Sequence, residues 1–164
     1  MIIMAEILDL VKVKLTSNKN FEDITYSKIT NYDCLEIPKE KLIETSKILK
    51  SDAEFDQLID VVGVDRFTKA NRFEVIYNLW SNIHKARIFL RVKLDSKNPE
   101  VETLCKTWPS ANWLEREAYD MFGIVFLNHP DLRRIYMMEE FQYYPLRKDY
   151  PLMGIPGAVE LPKK

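Results

Sequence analysis

The sequence predicts an α+β domain followed by an irregular C-terminal arm, and three observations carry that prediction. Two runs alternate strictly between apolar and polar residues, with Phe73, Val75, Tyr77 and Leu79 on the first and Ala86, Ile88, Leu90, Val92 and Leu94 on the second. That period of two belongs to strands buried on one face. Short segments with apolar residues at helical spacing flank these runs. From His129 onward neither period survives, and five of the eight prolines fall in the last 35 residues.

Taken in order, residues 4–15 place Ile7, Leu8, Val11 and Leu15 on one side of a short helix, although VKVKL alternates like a strand; the segment fits either. NFEDITYSKI and YDCLEIP read as two strands joined near Thr30 and Asn31, and Pro38 to Leu49 as a helix through Leu42, Ile43 and Leu49. LIDVVGVD, Leu58 to Asp65, is β-branched and too short for a sturdy helix, so it reads as a third strand. The two alternating runs then pair antiparallel around Ser81 to Lys85. Arg87, Arg91 and Lys93 occupy the second run's other face, so one side of the sheet is wet and helices cover the packed side. A helix is expected from Asn98, with Pro99 at its first position, Val101, Leu104 and Trp108 along one face, and Pro109 ending it. Another opens at Asn112, with Glu115 three residues on as in a capping box and Gly123 as a left-handed terminator. The division is a globular domain over 1–128 and an arm over 129–164.

At 164 residues the chain is long enough for one domain with a core. Its 46% hydrophobic and 30% charged composition is that of a soluble globular protein, and no apolar run approaches the roughly 18 residues that a transmembrane helix needs. MIIMAEILDLVKVKL carries Glu6 and Asp9 within its apolar stretch and has no basic leader or small-residue cleavage site, so it does not read as a signal peptide. A net charge of −1 gives no general attraction for nucleic acid.

No glycine-rich phosphate loop is present, with only four scattered glycines. Cys34, Cys105 and two histidines in separate segments fall short of the usual iron–sulfur or structural zinc sets, and no resident metal is expected. The densest cluster of chemistry-bearing residues is Glu115, Arg116, Glu117, Asp120, His129 and Asp131. Carboxylates beside a histidine suit acid–base catalysis. On a helix, however, Glu117 and Asp120 are three apart and Arg116 and Asp120 four apart, and such pairing accounts for much of the cluster. His129 before Pro130 fits a proton carrier, a ligand or a turn residue whose ring nitrogens bond the backbone, and the last is the expectation.

The arm resists a bland reading. It holds Leu132, Ile135, Tyr136, Met137, Met138, Phe141, Tyr143, Tyr144, Leu146, Tyr150, Leu152 and Met153, too apolar for a disordered tail. Such a strip packs either on its own domain or along another protein. The second is the expectation, since patches of that size are rarely left bare on a monomer.

The run ANWLEREAYDMFGIVFLNHPDLRRIYMMEEFQYYPLRKDYPLMG, Ala111 to Gly154, resembles the signature region of the C-type subunit of the proton-pumping NADH:quinone oxidoreductase, respiratory complex I. EREAYDMFGI, HPDLRRI and PLRKDYPL occur in order at that family's spacing. The resemblance implies a two-layer α+β domain with a mixed five-stranded sheet and an extended C-terminal segment lying against the D-type, quinone-site subunit, near the B-type and I-type subunits of the peripheral arm. It implies a structural and assembly role without catalysis, with FMN and iron–sulfur clusters held by partner subunits and none here. The chain would sit peripherally on the cytoplasmic side of a bacterial inner membrane. The partner-binding residues carried over are Glu115, Arg116, Glu117, Asp120, His129, Pro130, Asp131, Arg133, Arg134, Pro145, Arg147, Lys148, Asp149 and Pro151. The first four would fix the helix and the arm's departure and the rest would touch the partner. The equivalent subunit of a ferredoxin-fed dehydrogenase or a membrane-bound hydrogenase shares these motifs.

Overall fold

A computed structural model of the chain describes residues 2–16, 23–67 and 70–155. Five strands form the main sheet: β1 (Thr25–Ile29), β2 (Tyr32–Ile37), β3 (Gln57–Asp65), β4 (Phe73–Ser81) and β5 (Ala86–Leu94), in spatial order β1-β2-β5-β4-β3. β2 runs parallel to β5 and the other neighbours are antiparallel, so the sheet is mixed. The alternating runs pair as the sequence indicates, with Val75 opposite Val92, Tyr77 opposite Leu90 and Leu79 opposite Ile88, all buried. Because the side-chain period is two, one register puts this whole set on one face.

Helices α1 (Ile2–Thr16), α2 (Leu42–Ser51) and α3 (Ala111–Phe122) close that face, burying Val11, Leu15, Leu42, Leu49, Ala111 and Ala118 in the same core as the sheet. The first segment is therefore helical. A single 3-10 turn, Lys39–Lys41, precedes α2. The opposite face carries the charged residues, from exposed Lys93 to buried Glu74: Lys93 bonds Glu36 at 2.5 Å, Arg91 lies 3.8 Å from Glu74, and Arg87 stacks over the Tyr32 ring.

The expected helix from Asn98 does not form. Its place is taken by β6 (Glu100–Glu102), parallel to β7 (Val125–Leu127), with Val101 opposite Phe126. Thr103 N–H donates to Leu127 O at 3.0 Å and Val125 N–H to Pro99 O at 2.8 Å, extending the ladder. Val101, Leu104 and Trp108 are indeed buried, but from a short strand and turns. Their helical spacing reported burial correctly and the backbone wrongly, because a strand partner some two dozen residues downstream leaves no trace in local periodicity. Asn98 is no cap; its N–H donates to Asp95 Oδ1 at 3.1 Å.

α3 begins at Ala111 rather than at an Asn112 cap. Ser110, just before it, turns its hydroxyl to Leu58 O at 2.9 Å, and Glu115 does not reach back to cap the helix. Its far end is as expected: Gly123 has φ 71° and donates to Tyr119 O at 2.8 Å. A Cβ there would stand 2.5 Å from the Tyr144 ring and 2.6 Å from Arg147 Nη2. Gly123→Ala is expected to cost about 2 kcal/mol or more, from left-handed strain plus overpacking against the arm. Chemical denaturation of the two proteins measures it, and an unchanged midpoint would show that the arm does not press on this turn.

Candidate functional site

α3 carries a charged residue on each side, and each finds a different neighbour. Glu115 is fully buried. Its Oε1 accepts the Leu104 N–H at 2.8 Å and its Oε2 the Thr103 hydroxyl at 2.5 Å, while the Cys105 thiol stands 3.6 Å away. It therefore pins the 103–105 connection to the helix. Burial raises its pKa to about 7, against the lowering effect of these donors. The His129 side chain is wholly enclosed; Nε2 contacts Asn112 O at 3.1 Å and Nδ1 accepts the Asp131 N–H at 3.0 Å. With Nδ1 accepting, the ring is neutral and carries its proton on Nε2, and burial holds its pKa below the usual value. It is a turn residue bonding backbone, at the root of the arm.

Helix-internal pairing does not account for Arg116 and Asp120. Arg116 donates to the carbonyls of Arg133 (3.0 Å) and Arg134 (3.3 Å) and stacks on Trp113, with 4.6 Å from guanidinium to ring centre. Asp120 is fully buried, and its Oδ2 accepts three successive backbone N–H groups, from Ile135 (3.0 Å), Tyr136 (2.7 Å) and Met137 (2.9 Å). Its Oδ1 pairs with Arg134 at 2.7 Å. Burial pushes the Asp120 pKa up, but these four donors outweigh it and hold the carboxyl below its usual range. Glu117 alone of the four faces solvent, at the rim of a groove of about 300 Å³ between β3 and α3.

A second anchor holds the arm farther along. Asp65, at the end of β3, is gripped by Arg72 through Nε (2.8 Å) and Nη2 (2.7 Å), and its Oδ2 also accepts the Lys148 N–H at 2.8 Å. Arg72 reaches on to Asp149 at 2.9 Å. Arg147 donates to Phe122 O at 2.6 Å and stacks between Phe73 and Tyr144. Leu146 N–H donates to Met121 O at 3.1 Å. Asp65 and Arg72 are absent from the residues that sequence reasoning singles out. Nothing local marks them, for they meet the arm across about eighty positions of chain.

The arm thus runs back over its own domain, yet it leaves several of its apolar side chains uncovered there. Phe141 is buried, while Tyr136, Met138, Leu146, Leu152 and Met153 are each at least half exposed. Pro130 and Pro151 are exposed and Pro145 half-buried, and Asp131 pairs with exposed Arg133 at 2.9 Å. Tyr143, Tyr144, Arg147, Tyr150 and Pro151 line an open groove of about 370 Å³. Asp120 and Asp65 hold the arm's backbone from the domain side, and Tyr136, Met138, Leu146, Leu152 and Met153 stand outward as an apolar row of the kind rarely left bare on a monomer.

A family model described as "Respiratory-chain NADH dehydrogenase, 30 Kd subunit" matches residues 35–156, which run from the second half of β2 through β3, β4, β5, α3 and both anchors. The chain belongs to that family. Among curated relatives, the C-type subunit of NADH-quinone oxidoreductase from Geotalea uraniireducens is 45% identical over 118 residues, 72% of either chain. A C-type subunit of the same enzyme from Rhizobium meliloti is 47% identical over 120 residues, covering 72% of this chain and 65% of that one. Of solved structures, a trypsin-resistant fragment of Nqo5 superposes with a TM-score of 0.66 at 32% identity, over 77% of this chain and 99% of the fragment. A chain of an archaeal membrane-bound sulfane sulfur reductase superposes at 0.76 but is 18% identical, and shows the fold alone, over 89% of this chain and 86% of that one. Membership makes the chain part of an oxidoreductase assembly, and the two-layer mixed sheet is the family's fold. Among the described residues no helix is long and apolar enough to cross a membrane.

Proposed function

We propose that the chain is a structural, non-catalytic component of a membrane-bound NADH:quinone oxidoreductase and that its arm is the docking strip for the D-type, quinone-site subunit. The observation that carries this reading is the set of outward apolar side chains on an arm whose backbone is held against the domain. Two buried carboxylates hold its backbone from behind, and Tyr136, Met138, Leu146, Leu152 and Met153 stand outward, left uncovered by the described residues. A backbone fixed in this way loses little freedom on docking, which favours affinity. The B-type and I-type subunits are the further neighbours in this reading. The FMN and iron–sulfur clusters belong to partner subunits, and the assembly sits on the cytoplasmic face of the inner membrane.

The neighbourhood of His129 supports a structural role over acid–base catalysis. A proton carrier needs a free nitrogen within reach of its substrate, and both His129 nitrogens are engaged by backbone inside the fold.

The test is a pair of substitutions, Leu152→Asp and Met153→Asp, in cells that make the whole complex. Both side chains are almost wholly exposed. The isolated chain should therefore keep its stability within about 0.5 kcal/mol, while co-purification with the quinone-site subunit falls sharply. Undiminished co-purification would remove the arm from the interface. The same purification decides between NADH-linked, ferredoxin-fed and hydrogenase complexes, by the donor-side subunits it brings down.

A further inference from the structure

We propose that Cys105, Glu115 and His129 form a binding site for a redox-inert divalent cation of the zinc type, with the cysteine sulfur, Glu115 Oε2 and His129 Nε2 as ligands. The residues lie on three separate segments, the 103–105 connection, α3 and the root of the arm, and their ligand atoms all fall within 4.8 Å of one another. Glu115 Oε2 stands 3.6 Å from the sulfur and 3.9 Å from Nε2. Ligands held at about 2.0–2.3 Å by one tetrahedral zinc ion stand roughly 3.3–3.7 Å apart. The two contacts to Glu115 are within a few tenths of an ångström of that spacing, and the cysteine and histidine, within 4.8 Å of each other, close the sphere by moving together about the ion.

Rigidity and chemistry support the assignment. The Glu115 and His129 side chains are fully enclosed, and Leu104 N–H fixes Glu115 by its other oxygen, while Oε2, which accepts the Thr103 hydroxyl at 2.5 Å, also faces the cysteine and histidine. A thiolate, an imidazole and one carboxylate select zinc-like ions over magnesium or calcium, which prefer all-oxygen sites. An independent observation comes from β4. The Tyr77 hydroxyl is completely buried and has no hydrogen-bond partner among the described residues, and burial first, with the neighbouring Glu115 and Cys105 next, holds its pKa well above the usual 10. Buried hydroxyls are almost always satisfied, and a water completing the cation's sphere would satisfy this one.

Binding has a stated proton balance. The Cys105 thiol releases its proton to solvent, Glu115 binds as the carboxylate and releases its proton too where it carries one, and the His129 proton leaves Nε2, with Nδ1 taking it up. That last move breaks the contacts with Asn112 O and the Asp131 N–H, so the ion would reset the first residues of the arm. Counting only cysteines and histidines in the sequence misses this set, because its third member is a glutamate and its ligands are 10 and 14 positions apart.

The test uses the full chain, stripped with chelator and titrated with cobalt(II) as the probe. The expected result is one equivalent bound, with the strong visible bands of a tetrahedral site and a thiolate-to-cobalt charge-transfer band, displaced by zinc. Cys105→Ala, at a half-exposed position, should keep the fold and abolish the charge-transfer band. Its affinity should fall by more than the roughly 10- to 100-fold that loss of an outer-shell partner costs. His129→Ala should also weaken binding, and Cys34→Ala should leave the band intact. No charge-transfer band in the unaltered chain, or a band that survives Cys105→Ala, would overturn the site.

Discussion

Replacing Asp120 with alanine should release the root of the arm. The carboxylate is fully buried, and its removal leaves three consecutive backbone N–H groups without an acceptor and Arg134, whose side chain is 9% exposed, with only the carbonyls of residue 120 and Tyr143. Breaking a buried pair from one side costs about 3–5 kcal/mol if nothing relaxes. The arm is the part free to relax, so the loss should appear as undocking rather than global unfolding. Hydrogen exchange reads this directly: the amides of Ile135, Tyr136 and Met137 should lose protection while those of β4 and β5 keep theirs. Asp120→Asn retains one acceptor oxygen without the charge and should lie between the two. Full protection at 135–137 in the alanine variant would mean that Asp120 does not hold the arm.

Asp65→Asn should have the second large effect, and it carries a pH signature. Asparagine keeps the shape but turns an amide N–H₂ toward donors that already crowd the carboxylate, from Arg72, Lys148 and Phe67. About 3 kcal/mol should be lost, since the Arg72 side chain is only 15% exposed and is left without its main partner. In the unaltered chain burial pushes the Asp65 carboxyl up, but the Arg72 hydrogen bonds and the backbone N–H groups of Lys148 and Phe67 overcome it and hold the pKa at about 2, below its usual 3.8. A depressed carboxyl pKa stabilises the fold above the unfolded value, and that contribution, about 2 kcal/mol, disappears as pH falls from about 4 through 2. Asp120 is shifted in the same direction and adds to the same acid limb. Stability measured against pH should therefore be flatter below pH 4 in Asp65→Asn, and an unchanged acid limb would mean that Asp65 does not titrate with folding.

The two anchors differ in how far the sequence exposes them. Asp120 stands in a charged helix within a motif of the family, which is enough to single it out. The partners expected for it on the same helix are not the ones it takes: on a helix surface the i,i+4 neighbour is available, but a buried carboxylate goes to whichever donors are densest, here a run of arm amides. Asp65 reads as the end of an ordinary strand. The helix expected from Asn98 fails for the related reason that strand pairing is non-local, so β6 and β7 each depend on the other to exist. Glu115 fits half of a capping box, and packing turns it inward to Thr103, Leu104 and Cys105 instead.

What the sequence determined by itself is whatever repeats along the chain: the alternation that sets β4 and β5 and the charged and packed faces of the sheet, the glycine that ends α3, and the boundary at which periodicity stops. These follow from backbone geometry within a few residues. Tertiary structure alone decided how the arm is held against the domain. That choice rests on two carboxylates meeting backbone N–H groups 15–17 and 83 positions away, and no local pattern encodes such a meeting, because a buried charge is satisfied by whatever the fold brings to it.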